Sequence, residues 1–246
     1  MRQHIFLSPH LDDAIFSCGG LIHHLTTHGD SVLIITLMAG DPPNPVPNTP
    51  LVKALHARWQ IGENPVISRR QEDRQAAAEL GATVHHLTIP DCVYRTANSI
   101  PLYPNEQDLF GDVHPQDPAR NTLNSVVLPQ DATIYAPLGV GNHVDHQLVA
   151  QWILANPPQH LYFYEDYPYS ANTQNLLNTI SKFPKTVISD TISLTPKDYE
   201  AKCRAIAHYQ SQLSTFWSNL DEMKQHVRQQ LLTTGQGTLA ERYWTS

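Results

Sequence analysis

Residues 4–20 read HIFLSPHLDDAIFSCGG, and the way this stretch divides decides the fold. Ile5 to Leu7 form a short apolar strand, and Ser8 to Asp12 form a loop. Residues 13–28 read as a helix, with Ala14, Cys18, Leu21, Ile22 and Leu25 at helical spacing and His28-Gly29-Asp30 as the stop. The run SVLIITLMAG (31–40) follows, apolar almost throughout, as a strand covered on both faces should be. Strand, helix and strand in about 35 residues make a βαβ unit, and such units build parallel sheets.

Working outward, SRRQEDRQAAAELG (68–81) reads as a helix, with Ser68 and Gln71 at capping-box spacing and Gly81 as its end. TVHHLTI (83–89), ATIYAPLGV (132–140), HLYFYEDYPY (160–169) and KTVISDTISL (185–194) read as further strands. From Thr195 to about residue 230 the pattern is helical and polar. DPPNPVPNTP (41–50) places five prolines in ten positions, so it is a loop, expected to shape a pocket wall because it follows a parallel strand. No internal repeat or domain-sized break in composition interrupts the chain. The expectation is one domain over residues 1–246, of α/β class: a Rossmann-like, mostly parallel sheet flanked by helices, its site at the carboxyl ends of the strands.

Composition narrows the function. A net charge of −7 with no Lys/Arg run argues against nucleic-acid binding. No stretch of about 18 apolar residues predicts a membrane helix, and MRQHIFLSPH does not read as a signal peptide. Cys18, Cys92 and Cys203 are odd in number and widely spaced, which suits a reducing compartment. A cytoplasmic protein is the expectation. Cys18 reads as a small buried residue, and Ser211, Gln212 and Trp244 read as structural.

Three polar clusters follow strand ends, where ligands bind in open α/β sheets. They are PHLDDA (9–14), PDCVYR (90–95) and GNHVDH (141–146). PHLDDA alone admits three readings: a helix cap on Asp12 or Asp13, a phosphate-binding turn, or half of a metal site. Gly19 and Gly20 lie inside the helix and no GxGxxG opens it, which disfavours a dinucleotide turn. A second loop bearing His143, Asp145 and His146 favours the metal site, because imidazole and carboxylate together suit zinc or another divalent transition ion such as Fe²⁺.

With these residues in place, the chain resembles the LmbE-like (PIG-L-like) zinc N-deacetylases. PHLDDA resembles their Pro-His-Pro-Asp-Asp-Glu signature and HVDH their His-x-Asp-His signature. The likeness continues in order through AGDP, RRQEDRQAAAELG, YEDYPY, KCRAIAHYQSQ and ERYW. The resemblance implies His10, Asp13 and His146 as metal ligands, Asp12 as general base and His143 as the residue that stabilises or protonates the reacting group. A protonated His143 is expected to offset charge on the oxyanion and then to protonate the leaving amine. It points to Arg69, rather than Arg70, as a substrate contact. Asp145 is expected to orient a histidine, with loop capping as the alternative. Asp91 is expected to bind a sugar hydroxyl or to serve only as a turn residue; Glu165 and Asp166 sit at a favourable strand end, where capping or pairing with an arginine is equally open. Leu11, Ala14 and Gly141 depart from the family pattern, the last where some relatives carry tyrosine.

The implied activity is zinc-dependent removal of an N-acetyl group from a small-molecule amino sugar or its conjugate. The alternatives are a metal-dependent hydrolase of another amide or ester, or a non-catalytic metal- or carbohydrate-binding module. Neither nucleic acid nor a stably inserted membrane is an expected partner, and homo-oligomerisation stays open.

Overall fold

The computed structural model describes residues 1–59, 65–183 and 187–245. Strand β1 (Gln3–Ser8), helix α1 (Asp13–Thr27) and strand β2 (Ser31–Thr36) form the expected βαβ unit. After α2 (Pro50–Trp59) and α3 (Pro65–Glu79) the chain enters β3 (Thr83–His86). A small hairpin, β4 (Thr96–Ala97) and β5 (Ile100–Pro101), and two short helices, α4 (Glu106–Leu109) and α5 (Ala119–Asn124), precede β6 (Thr133–Pro137). Then come α6 (Val144–Ala155), β7 (His160–Tyr164), α7 (Thr173–Lys182) and β8 (Ile188–Ser193). Helices α8 (Pro196–Ile206), α9 (Gln210–Phe216) and α10 (Leu220–Thr234) lead to β9 (Ala240–Thr245).

Among the described residues, seven strands form one sheet in the order β3-β2-β1-β6-β7-β9-β8. β1 pairs in parallel with β2 on one side and β6 on the other, so Ile5 faces Leu33 and Ile134 in register. Strand order reverses at β1, which opens a crevice between the carboxyl ends of β1 and β6. Both faces of β1 are covered. Phe6 packs with α1 residues Ile15 and Ile22 and with Ile206 of α8. Ile5 and Leu7 pack with Leu148 and Val149 of α6. A third apolar cluster (Leu11, Ala39, Val52, Val93, Tyr103 and Val144 among its members) lies under the loops at the strand ends.

Several sequence expectations are corrected. α3 begins at Pro65, so Ser68 lies inside the helix and caps nothing. The run 31–40 is strand only to Thr36. β8 begins at Ile188; residues 185 and 186 of the expected strand lie outside the described residues. β9 was not expected, and it pairs antiparallel with both β7 and β8. The proline-rich loop does shape a pocket wall, Pro43 lining one with Pro90, Arg95 and Thr122, but the wall of the site cleft comes from Leu51, Ala54, Leu55 and Arg58 of α2.

β9 also explains the glycines inside α1, where each costs about 1 kcal/mol relative to alanine. Glu241 of β9 accepts from the backbone N–H of Gly20 and Leu21, both at 3.0 Å. Lys202 of α8 donates to Glu241 at 2.7 Å and to the Ser17 carbonyl at 2.9 Å. A Cβ on Gly19 would lie 2.9 Å from Lys202 Cγ, and one on Gly20 would lie 2.4 Å from a Leu194 methyl. The pair of glycines lets a buried ion pair dock on the flank of α1.

Candidate metal and catalytic site

The turn after β1 settles what its two aspartates do locally. Asp12 occupies the N-cap position of α1, but its side chain makes no cap hydrogen bond. The Ala14 N–H donates instead to the Ser8 hydroxyl at 3.0 Å, and the Asp13 carboxylate accepts from the His10 N–H at 2.7 Å. Asp12 is thereby left with a buried carboxylate and no structural duty at the helix end.

Asp13 Oδ2 lies 3.2 Å from His10 Nδ1 and 3.3 Å from His146 Nε2. Donors bound at 2.0–2.2 Å to one tetrahedral ion stand about 3.4 Å apart, a spacing that each Asp13–imidazole pair meets separately. Among the described residues, the donors that lie mutually within 4.8 Å are His10–His143–His146, Cys92–His143–Asp145 and His10–Asp91–Asp145, and Asp13 is in none of these groups. The far nitrogen of each imidazole rests on another buried carboxylate. His10 Nε2 is 3.0 Å from Asp145 Oδ2, and His146 Nδ1 is 2.6 Å from Asp166 Oδ1. Imidazole ligands backed by carboxylates are the usual construction of such sites. GNHVDH is not a loop throughout: His143 is the N-cap of α6, and Asp145 and His146 lie in its first turn.

The supporting carboxylates are themselves anchored. Asp166 Oδ2 accepts from the N–H groups of Gly139 and Val140, both at 2.8 Å. Asp145 accepts from the Cys92 N–H at 3.1 Å and is held by Arg95. Arg95 also binds Asp117 through Nη2 at 2.9 Å and Nε at 3.1 Å, and Tyr103 donates to Asp117 at 2.7 Å. This buried chain runs from the segment after β5 to His10.

Electrostatics follow from the crowd of acids. Burial opposes charge on His10, yet hydrogen bonds to Asp13 and Asp145 raise its pKa well above the usual range. His146 is likewise disfavoured by burial, but Asp13 and Asp166 push it up to about 10. The field that draws positive charge onto these rings is one that a divalent cation satisfies. Burial and then the Asp13 charge raise Asp12 to about 7, against the pull of Arg69 at 4.0 Å.

One nitrogen of His143 also lies within 4.8 Å of donors on His10 and His146. Its Nδ1 accepts from the Asp145 N–H at 3.3 Å, which leaves the proton on Nε2. Burial, and then the neighbouring His10 and His146, depress its pKa well below the usual range. Both observations favour the neutral ring with its proton on Nε2.

The remaining expectations divide. Arg69 is buried and lines the cleft, whereas Arg70 binds the Ala39 carbonyl and Asp41. Asp91 accepts from the Val93 N–H at 3.2 Å as a turn residue, while its second oxygen stands 4.0 Å from His10 Nε2 and the residue lines the cleft. Glu165 pairs with Arg242 at 2.5 Å and with Trp244 at 3.1 Å. Arg95, Asp117 and Tyr169 carry roles that the sequence reading missed. For Asp166 one signal existed, a carboxylate just past the carboxyl end of a parallel strand.

Tyr169 explains Gly141. A Cβ there would lie 2.6 Å from the tyrosine ring, and the backbone holds φ at +91°. The ring stands edge-on to His146 at 6.1 Å, on the wall of a cleft of about 300 Å³ that is also lined by His10, Asp12, Asp13 and His143. Among the described residues no helix is long and apolar enough to cross a membrane.

The chain is similar to known proteins over most of its length. Residues 5–156 match the family model described as PIG-L, GlcNAc-PI de-N-acetylase. The chain is 32% identical over 187 residues to 2'-N-acetylparomamine deacetylase of Niallia circulans, covering 68% of each chain. The zinc-inhibited form of teicoplanin deacetylase superposes with a TM-score of 0.82 at 23% identity, over 98% of this chain and 97% of the other. The A40926 pseudoaglycone deacetylase gives 0.75 at 25% identity, over 99% and 96%.

Proposed function

Because the chain belongs to the PIG-L family of de-N-acetylases, we propose that it hydrolyses the N-acetyl group of an amino sugar or amino-sugar conjugate with a zinc ion held by His10, Asp13 and His146. One observation carries the assignment. A single carboxylate oxygen of Asp13 stands between the near nitrogens of two imidazoles whose far nitrogens are fixed by Asp145 and Asp166. The relative named as a 2'-N-acetylparomamine deacetylase indicates the kind of substrate.

Zinc bound there would supply Lewis acidity toward water and the acetyl carbonyl. The chain's own residues do the rest. Asp12, free of capping duty, takes the proton of the attacking water. Burial holds the Asp12 acid above the usual carboxylate range, which makes it a better acceptor of that proton. His143 Nε2–H donates to the acyl oxygen as it gains negative charge, a bond that strengthens in the transition state. Asp12 then passes the proton to the departing nitrogen, giving acetate and the free amine. Arg69 keeps positive charge beside Asp12 and faces the cleft, where it meets substrate. Asp91 offers its outer oxygen to a hydroxyl.

The test is amine release by the zinc-loaded protein from 2'-N-acetylparomamine, other N-acetylated sugars and nucleotide sugars. Equal yields of acetate and amine, lost on chelation and restored by zinc, are expected. A metal-loaded protein that releases no amine from any of them refutes the proposal.

A further inference from the structure

Phe110 is 38% exposed. Single exposed apolar side chains are ordinary and need no explanation; the support beneath this one sets it apart. Asn142 Nδ2 donates to the carbonyls of Phe110 (2.7 Å) and Gly111 (3.2 Å). Gln147 Nε2 donates to the carbonyls of Gly111 (2.8 Å) and Asn142 (2.7 Å). Asn142 holds a left-handed φ of +64° to do this, immediately before the N-cap His143. On the other side, Phe110 is the C-cap of α4, where its N–H donates to the Gln107 carbonyl and the Gly111 N–H to the Asp108 carbonyl, both at 3.3 Å. The backbone under Phe110 is thus pinned from two sides. Its ring stands edge-to-face with His143 at 5.6 Å between centroids and with Tyr169 at 6.3 Å, at the mouth of the cleft.

From this we infer that Phe110 is the platform on which the substrate's sugar ring stacks, so that the enzyme selects a pyranose with an apolar C–H face over acyclic N-acetylated amines. The inference rests on the amino-sugar reading above. Pyranose C–H groups carry partial positive charge and meet the negative face of an aromatic ring, while both surfaces shed water. The carboxylates of Asp91 and Glu106 line the same cleft and can accept from the hydroxyl edge of the same sugar. Because Phe110 and His143 are neighbours, a ring lying on Phe110 presents its acetamido group to the His143 donor. An immobile platform also spares the ordering cost that a free side chain would bring to binding.

Steady-state kinetics of Phe110→Ala and Phe110→Trp test this, using the best N-acetylated amino sugar and N-acetylethanolamine as the ringless comparison. Phe110→Ala should raise KM for the sugar about tenfold with kcat little changed, as expected for lost stacking and burial. Phe110→Trp should restore KM, and kcat/KM for the ringless amide should stay near wild type in both variants. Unchanged KM for the sugar overturns the inference. So does an equal loss of kcat on both substrates, because that outcome makes Phe110 a support for His143. A wild-type enzyme inactive on every amino sugar sinks the amino-sugar reading and this inference with it; an active one with an indifferent Phe110→Ala sinks this inference alone.

Discussion

Lys202→Met should unfold the protein more readily than any surface change, although Lys202 touches no reacting group. Lys202 and Glu241 are 3% and 5% exposed, and their charges meet at 2.7 Å on the flank of α1. Removing the ammonium leaves a carboxylate buried without its counter-charge, a change that costs about 3–5 kcal/mol when nothing compensates. Here Glu241 retains donors in Gly20 N–H, Leu21 N–H and the Tyr243 hydroxyl at 2.8 Å, which places the loss near the lower end. About 3 kcal/mol corresponds to roughly a hundredfold in the folded-to-unfolded ratio. Urea unfolding followed by circular dichroism reads it as a fall in midpoint at unchanged slope. The double variant Lys202→Met/Glu241→Leu removes the stranded charge, so it should be more stable than the additive sum of the two singles. A single-variant loss below about 1 kcal/mol, the scale of exposed pairs, refutes the reasoning. Strict additivity refutes it as well.

The remaining predictions concern the site. Asp12→Asn should keep one zinc per chain by elemental analysis yet lose about 10²–10⁴ in kcat, the range for a positioned acid–base group; full activity would remove Asp12 from that role. His146→Ala should lose both metal and turnover. Arg95→Met should weaken zinc about 10–100-fold in a chelator competition, because it frees Asp145 and through it His10; an unchanged affinity would make the buried chain purely architectural. Gly141→Ala should cost about 1–3 kcal/mol in the same urea assay, since its Cβ meets the Tyr169 ring at a positive φ. A neutral result would show that Tyr169 moves aside freely.

What was legible in the sequence is what a few consecutive residues determine. The strand–turn–helix of residues 3–27 shows in apolar periodicity, and His10, Asp12 and Asp13 share one turn. Their partners His143, Asp145 and His146 share another, and parallel topology alone brings the two turns to one rim. β9 was hidden because AERYWT has no apolar run; it becomes a strand by lying between β7 and β8, a tertiary circumstance. Arg95 was hidden for the same reason. It stands 50 residues from Asp145 in sequence, and nothing in PDCVYR announces that its guanidinium turns inward. Ser68 shows the opposite failure: a local signal was present, but α3 already runs from Pro65, and a capping residue means nothing inside a helix. The division has a physical origin. Donors that face a single ion must be near one another on rigid backbone, so they cluster in short motifs. The charges that hold those donors still need only be buried against them, so they arrive from wherever the chain passes: Asp166 after β7, Arg95 before the β4–β5 hairpin, Asp117 beyond it. On the proposed function, the identity of the chemistry is therefore concentrated in two hexapeptides, while its precision is distributed over residues that only the folded chain brings against them.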